Sequence, residues 1–404
     1  MTKPQIYGAA FIALIGALSA QTNAPGSADA TSKALAATQA FTATLTDEQR
    51  PKAIYEYDSD RKPKWNNLPP NMANPAGIPL ADLSPVQRDL AFVVVKSVLS
   101  PYGYQKALDV IDADAYFGTN MGAGFPTGRN AYRLAIFGKP SLTEPWEIQF
   151  NGHHLGLNVT IVGKNNVMAP SMIGAYPNIY PKDGKEFHVM GGETSRAVSL
   201  MQALTADQQK KATITSVMGD YILGPGHDGE VVQPEGLKAS EMTTQQKKIL
   251  LDLTSRWVNV INDPAAKAKM SEVQKNIGLT YFAWSGTPDA GEKAYFRVQG
   301  PTVWIEYAPQ NSGFGGGGRG GGRGGSGGGR GGGRGGSGGP GQGFGGPPQG
   351  QGQGGGDRGG GAPRVGLGGQ PNVTGQITAE RDPNHVHTVY RDFTNDYGKR
   401  LASK

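Results

Sequence analysis

The 404 residues contain no cysteine. That absence excludes disulfide staples, thiolate metal sites and cysteine nucleophiles together. Beyond a short leader there is no long apolar run, so the mature chain is expected to lack a membrane-spanning helix. Several catalytic signatures are missing as well. There is no His-Glu-x-x-His helix and no Gly-Lys-Ser/Thr phosphate loop, and no Gly-x-Ser-x-Gly elbow occurs outside a glycine-rich tract. The body also lacks a basic face. The formal charge of +6 is concentrated in residues 312–361, where Arg319, Arg323, Arg330, Arg334 and Arg358 outweigh Asp357 by 5 − 1 = +4. The remainder carries 6 − 4 = +2, too little to track a phosphate backbone, so a small-molecule ligand is expected rather than nucleic acid.

What is present divides the chain. Lys3, the apolar stretch from Ile6 to Leu18 and Ser19-Ala20-Gln21 have the order of a secretory signal peptide cut after Ala20. The expected location is therefore periplasmic or secreted, with residues 21–40 as a flexible lead-in. The tract at 312–361 repeats Gly-Gly-Arg and Gly-Gly-Ser, then Gly-Gln-Gly. Such a composition buries too little apolar area to offset backbone ordering, so it reads as a disordered insertion. Loop closure costs grow only logarithmically with length, which makes such an insertion tolerable.

Four helix starts share one chemistry. Thr46, Ser84, Thr205 and Thr243 each precede a glutamine by three residues, the capping-box pattern in which hydroxyl and amide satisfy free backbone N–H groups. Thr46 to Ser84 and Thr205 to Thr243 are both 38 residues apart. Strand-like runs follow each pair: Ala131–Leu134 and Trp146–Phe150 in the first half, Ala294–Val298 and Trp304–Tyr307 in the second. Each half then reaches a histidine-bearing segment. The expectation is an α+β fold of antiparallel sheets with helices, built as two related, duplicated halves at about 41–165 and 200–392.

Chemistry centres on those histidine segments. On a strand, alternate residues share a face, so His385 and His387 point the same way and can chelate one ion. His153 and His154 then point oppositely. His154, in phase with Asn158 and Thr160, is the better ligand, while His153 follows Leu155 and Leu157 toward the core. Neutral imidazoles suit Zn, Cu, Fe or Ni. Glu193, near a helix start, and Glu306, on a strand, are the candidates for a fourth ligand or general base. The recurring aromatics Tyr132, Trp146, Tyr295, Trp304 and Tyr307 read as core.

The chain resembles the bacterial family DUF3500. The resemblance rests on Gly77-Ile78-Pro79-Leu80 with Ser84-Pro85-Val86-Gln87-Arg88, on Tyr132-Arg133 with Phe137-Gly138 and Trp146, and on Gly152-His153-His154-Leu155. It extends to His385-Val386-His387-Thr388-Val389-Tyr390-Arg391-Asp392 and Asp396-Tyr397-Gly398. It implies that both histidine segments belong to a shared pattern, but it implies no reaction. The functional expectation is a metal-dependent enzyme, hydrolase or oxidoreductase, with His154, His385 and His387 as ligands. The competing expectation is a non-catalytic periplasmic or surface-associated module that holds a small ligand in an aromatic cleft.

Overall fold

The computed structural model describes residues 30–69, 72–214, 220–311 and 381–402. The leader and the glycine tract lie outside the described residues. Of the flexible lead-in expected at 21–40, residues 21–29 lie outside the described residues, and the rest differs from what is seen: Ala30–Thr42 form helix α1, which buries Ala34, Ala37 and Phe41. Small residues on one side let this helix lie close against the body, which outweighs its weak amphipathic signal.

Three of the four capping boxes head helices as the sequence pattern predicts; at Thr46 the reciprocal bonds with Gln49 close a turn instead, and the four-residue helix Arg50–Ala53 that follows has Gln49 at its cap without a side-chain bond. Ser84 heads α2 (Pro85–Val98), Thr205 heads α5 (Ala206–Ala212) and Thr243 heads α6 (Thr244–Val258), each with the reciprocal glutamine bond. Pro85 and Pro101 occupy first-turn positions, where a missing N–H costs nothing. Ser100 and Asn262 cap α3 (Pro101–Tyr116) and α7 (Asp263–Lys275), and α4 spans Gly191–Ala203. The 38-residue spacing has a tertiary reason. Gln49 and Gln87 donate to each other's amide oxygens at 3.2 and 2.8 Å, and Gln208 and Gln246 repeat the pair at 3.1 and 2.8 Å.

One large sheet organises the described residues. Its strands are β1 (Ile54–Tyr55), β2 (Ile78–Pro79), β3 (Arg133–Phe137), β4 (Trp146–Gly152), β5 (Leu155–Val162) and β6 (Asn165–Ile173). A separate hairpin of β7 (Ile179–Lys182) and β8 (Lys185–His188) follows. The sheet continues with β9 (Leu237–Lys238), β10 (Tyr281–Ser285), β11 (Tyr295–Gly300), β12 (Val303–Asn311) and β13 (Arg381–Arg391). The order is β1-β3-β4-β5-β6-β13-β12-β11-β10-β9, with β2 also on β3. All pairs are antiparallel except β1 with β3. With helices gathered on one face, this is an α+β fold.

The sheet order does not follow the strand pairing expected from the sequence. Counting outward from the central β6–β13 contact, β5 meets β12 in rank, β4 meets β11 and β3 meets β10. The two histidine segments therefore hold unlike places: one is the turn between β4 and β5, the other the central strand β13. Local motifs alone could not reveal this, because rank in a sheet is set by pairing partners.

The two faces differ in chemistry. On one, α2 and α6 bury Leu90, Val94, Val98, Leu250, Leu253 and Trp257 against Ile148, Phe150, Val298 and Ile305. Each such side chain contributes roughly 1.5–3 kcal/mol on burial. On the other face a smaller apolar cluster of Trp65, Met172, Trp304, Val389 and Tyr397 sits among buried polar residues, including Glu147, Gln149, Asn151, Asn158, Glu306 and Arg391. Among the described residues, no helix is long and apolar enough to cross a membrane.

Candidate metal centre

The β4–β5 turn, Gly152-His153-His154-Leu155, is pinned from four directions. His154 N–H donates to Asn67 O at 3.0 Å, and His154 O accepts from Gly174 N–H at 2.8 Å. Tyr132 Oη donates to His153 O at 3.0 Å, and His153 Nδ1 lies 2.8 Å from Asp114 Oδ1 on α3. These contacts hold His154 at φ 61°, a left-handed conformation that costs a non-glycine residue about 1–2 kcal/mol. Gly174 is required beside it, because a Cβ there would run into Val386 O and sit 3.3 Å from His154 Cδ2.

The expected strand alternation at residues 153–154 does not hold. Both histidines are in a turn rather than on a strand, and their ring centroids are 3.9 Å apart. His153 is thus adjacent to the cluster, not directed away from it, and its Nδ1 is engaged by Asp114.

His385 and His387 arrive from β13. The ladder slips between Pro309, opposite Val386, and Gln310, opposite Asp382, so Pro383, Asn384 and His385 bulge out. Asn178 clamps the bulge: its N–H donates to Asn384 O at 2.8 Å and its Nδ2 to Pro383 O at 3.0 Å. The bulge brings the His385 and His387 rings to 4.9 Å, nearly perpendicular.

His154, His385 and His387 converge, with one nitrogen from each lying within 4.8 Å of the others. The closest contact, His154 Nε2 to His385 Nε2, is 3.0 Å. Ligand nitrogens around one tetrahedral zinc sit roughly 3.3 Å apart, so the widest separation must close by about 1.5 Å at most. His154 Nδ1 is buried with no hydrogen-bond partner among the described residues. Burial, and then the neighbouring imidazoles, hold His154 well below the usual histidine range. The same causes push His385 down to about 3, with Asp220 opposing. The His154 and His385 rings are therefore neutral near pH 7, the state in which imidazole ligates metals.

Sequence reasoning missed Asp220. Its Oδ1 lies 3.0 Å from His387 Nδ1 and accepts from Tyr221 N–H at 2.7 Å and Gln310 Nε2 at 2.9 Å. Burial alone would raise this carboxyl, but His387 and these donors hold it below 3.8. A carboxylate behind a histidine fixes its tautomer, here leaving the lone pair on Nε2. No periodicity or motif marks Asp220 in the sequence. Aromatic rings border the cluster: Tyr176 lies 4.6 Å from His385 and Tyr221 5.5 Å from His387.

The structure places neither Glu193 nor Glu306 in the three-histidine group. Glu193 Oε2 is 3.1 Å from Lys106 Nζ, Oε1 accepts from Tyr102 Oη at 2.9 Å, and Arg256 Nε approaches to 3.5 Å. Burial opposes ionisation of Glu193, yet Lys106 and Arg256 outweigh it and hold the carboxyl below 4.5. Glu306 accepts from Ile222 and Leu223 N–H, Tyr295 Oη at 2.8 Å and Trp304 Nε1 at 2.8 Å. Burial raises its pKa and these donors pull the other way.

No curated protein and no solved structure matches the chain. One family model does, over residues 27–320, a span that holds the His153-His154 turn, Glu193 and Glu306 and ends before the β13 histidines. Covering well over half of the sequence, this match makes the chain a member of the family described as protein of unknown function, DUF3500.

Proposed function

We propose that this protein is an exported metal-dependent enzyme whose ion is held by His154, His385 and His387. The observation carrying the reading is the convergence of three imidazoles from two segments 231 residues apart in sequence, one of them with a buried nitrogen unpartnered among the described residues. Such a set suits a divalent Zn, Cu, Fe or Ni ion. With three protein ligands a fourth position stays open, where an ion lowers the pKa of water toward neutrality for hydrolysis or, if redox-active, supports oxidation. Asp220 orients His387, and the Asp114–His153 contact anchors the turn that carries His154. His385, the most exposed ligand of the three, lies on the side from which a small substrate would approach.

Elemental analysis of purified protein tests this. One metal per chain is expected, falling to background in His385→Ala/His387→Ala with an unchanged far-UV spectrum. A wild-type protein that is metal-free and takes up no Zn, Cu, Fe or Ni on titration would sink the proposal. The Tyr176 and Tyr221 rings beside the histidines favour a second reading, a non-catalytic ligand-binding module. A small molecule co-purifying with metal-free protein, identified by mass spectrometry, would select it. The matched pairs Gln49–Gln87 and Gln208–Gln246 support the further proposal that the two halves, at about 41–165 and 200–392, descend from one duplicated unit.

A further inference from the structure

Two cavities of similar size open in the body, and their charges differ in kind. The first, about 330 Å³, lies between α7, β6 and the C-terminal residues. Two of its three cations are already matched, Lys269 Nζ 2.6 Å from Asp392 Oδ2 and Arg400 Nη1 3.2 Å from Glu272 Oε1, which leaves Lys164 as a balance of 3 − 2 = +1. Little charge is left over to hold a ligand.

The second cavity, about 310 Å³, lies beside β2 and β3, lined in part by Lys52, Tyr55, Arg61, Gly77, Asp82 and Arg133. Three cations face one carboxylate, a balance of 3 − 1 = +2. Asp82 approaches only Lys52, at 3.8 Å with both side chains about half exposed. Among the described residues neither guanidinium makes an ion pair. Each is nevertheless held in place. Arg133 Nη1 donates to Gly77 O at 3.2 Å, and Arg61 Nη2 donates to Asn74 O at 3.4 Å while the group sits 5.6 Å from the centre of the Tyr55 ring. The remaining N–H donors of both have no partner among the described residues. Burial weakens the charged form of Arg133; Tyr55 and Asp82 oppose that in part, and the like charge of Arg61 adds to it. An anion would relieve this repulsion, and guanidinium forks match the paired oxygens of carboxylate and phosphate.

We propose that this cleft binds a small dianionic oxyanion, with Arg61 and Arg133 as the forked donors and Lys52 as a point charge. The site stands apart from the metal proposal. It shares the sheet with it, since Arg133 pairs across the ladder with Asn151 on the strand that leads into the histidine turn.

Calorimetric titration of the whole protein with inorganic phosphate and with succinate, at constant ionic strength, tests the inference. Saturable binding at one site is expected, weakened at least tenfold in Arg61→Gln and Arg133→Gln, with glycerol giving no heat. Binding of phosphate alone identifies a phosphoryl ligand; binding of succinate, with or without phosphate, identifies a carboxylate-bearing one. If Arg133→Gln fails to fold, Arg61→Gln and Lys52→Gln carry the test. No saturable binding of either anion, or unchanged affinity in the variants that fold, overturns the proposal.

Discussion

Glu306 and His387 lie on the same face of the β12–β13 ladder, one pair of residues apart, since Glu306 is opposite Val389 and Ala308 opposite His387. Both are buried, but their surroundings differ. Glu306 receives two backbone N–H groups, a phenol and an indole, enough to satisfy both of its oxygens. In the histidine group only His387 Nδ1 has a carboxylate partner, His154 and His385 share one N···N contact, and His154 Nδ1 has no hydrogen-bond partner among the described residues. A buried polar group that is fully paired holds a fold together. One left short, among neighbours able to share an ion, marks a place for a ligand.

The largest effect is expected from breaking the satisfied side. Glu306→Gln turns an amide toward two backbone N–H groups and an indole that only donate, with the Tyr295 hydroxyl alone able to accept, and leaving such donors unmatched costs about 2–4 kcal/mol. The urea midpoint should fall accordingly while metal content stays at the wild-type level. Lost metal with unchanged stability would reverse the roles assigned to the two groups. Next in size is Asp220→Asn, which removes the carboxylate behind His387. Metal affinity, measured by competition with a chelator, should drop roughly 10- to 100-fold with stability of the metal-free protein little changed. An unaltered affinity would remove Asp220 from the site.

The smallest effect sharpens the comparison with a carboxylate matched by cations. Glu193 titrates below 4.5 in the folded protein, so the stabilisation it gains from Lys106 and Arg256 is complete above that value. It is lost as pH falls through the lower, folded pKa. The difference in urea midpoint between wild type and Glu193→Gln should therefore be constant near neutrality and shrink below about pH 4.5. A difference independent of pH down to 3 would contradict the ion-pair account.

Much of the fold was legible because its signals are local. A hydroxyl three residues before a glutamine favours a helix start, and Ser84, Thr205 and Thr243 behave so, while at Thr46 the same bonds close only a turn. The strand-like runs Ala294–Val298 and Trp304–Tyr307 likewise fall within observed strands, Tyr295–Gly300 and Val303–Asn311, apart from Ala294 at the edge of the first. The site was legible in part. His154, His385 and His387 could be singled out, but the reason given for their directions was incomplete. A tight turn replaced the expected strand at His154, and a bulge intervened before Val386. Strand alternation fails at both kinds of position, and neither leaves a clear mark in residue order. Glu193 was chosen as an acid near a helix start, yet Lys106, 87 residues away, claims its oxygen.

By itself, the sequence determined the helix starts, the α+β class, the absence of thiol chemistry and the short list of imidazoles able to ligate. These depend on residue type and on neighbours within a turn or two. Only the tertiary structure decided which of those imidazoles meet, that Asp220 stands behind His387, and that both glutamates are already engaged. Each of these contacts joins residues distant along the chain, and their proximity follows from the pairing of β6 with β13 at the centre of the sheet. That pairing is a property of the whole packed body rather than of any segment in it.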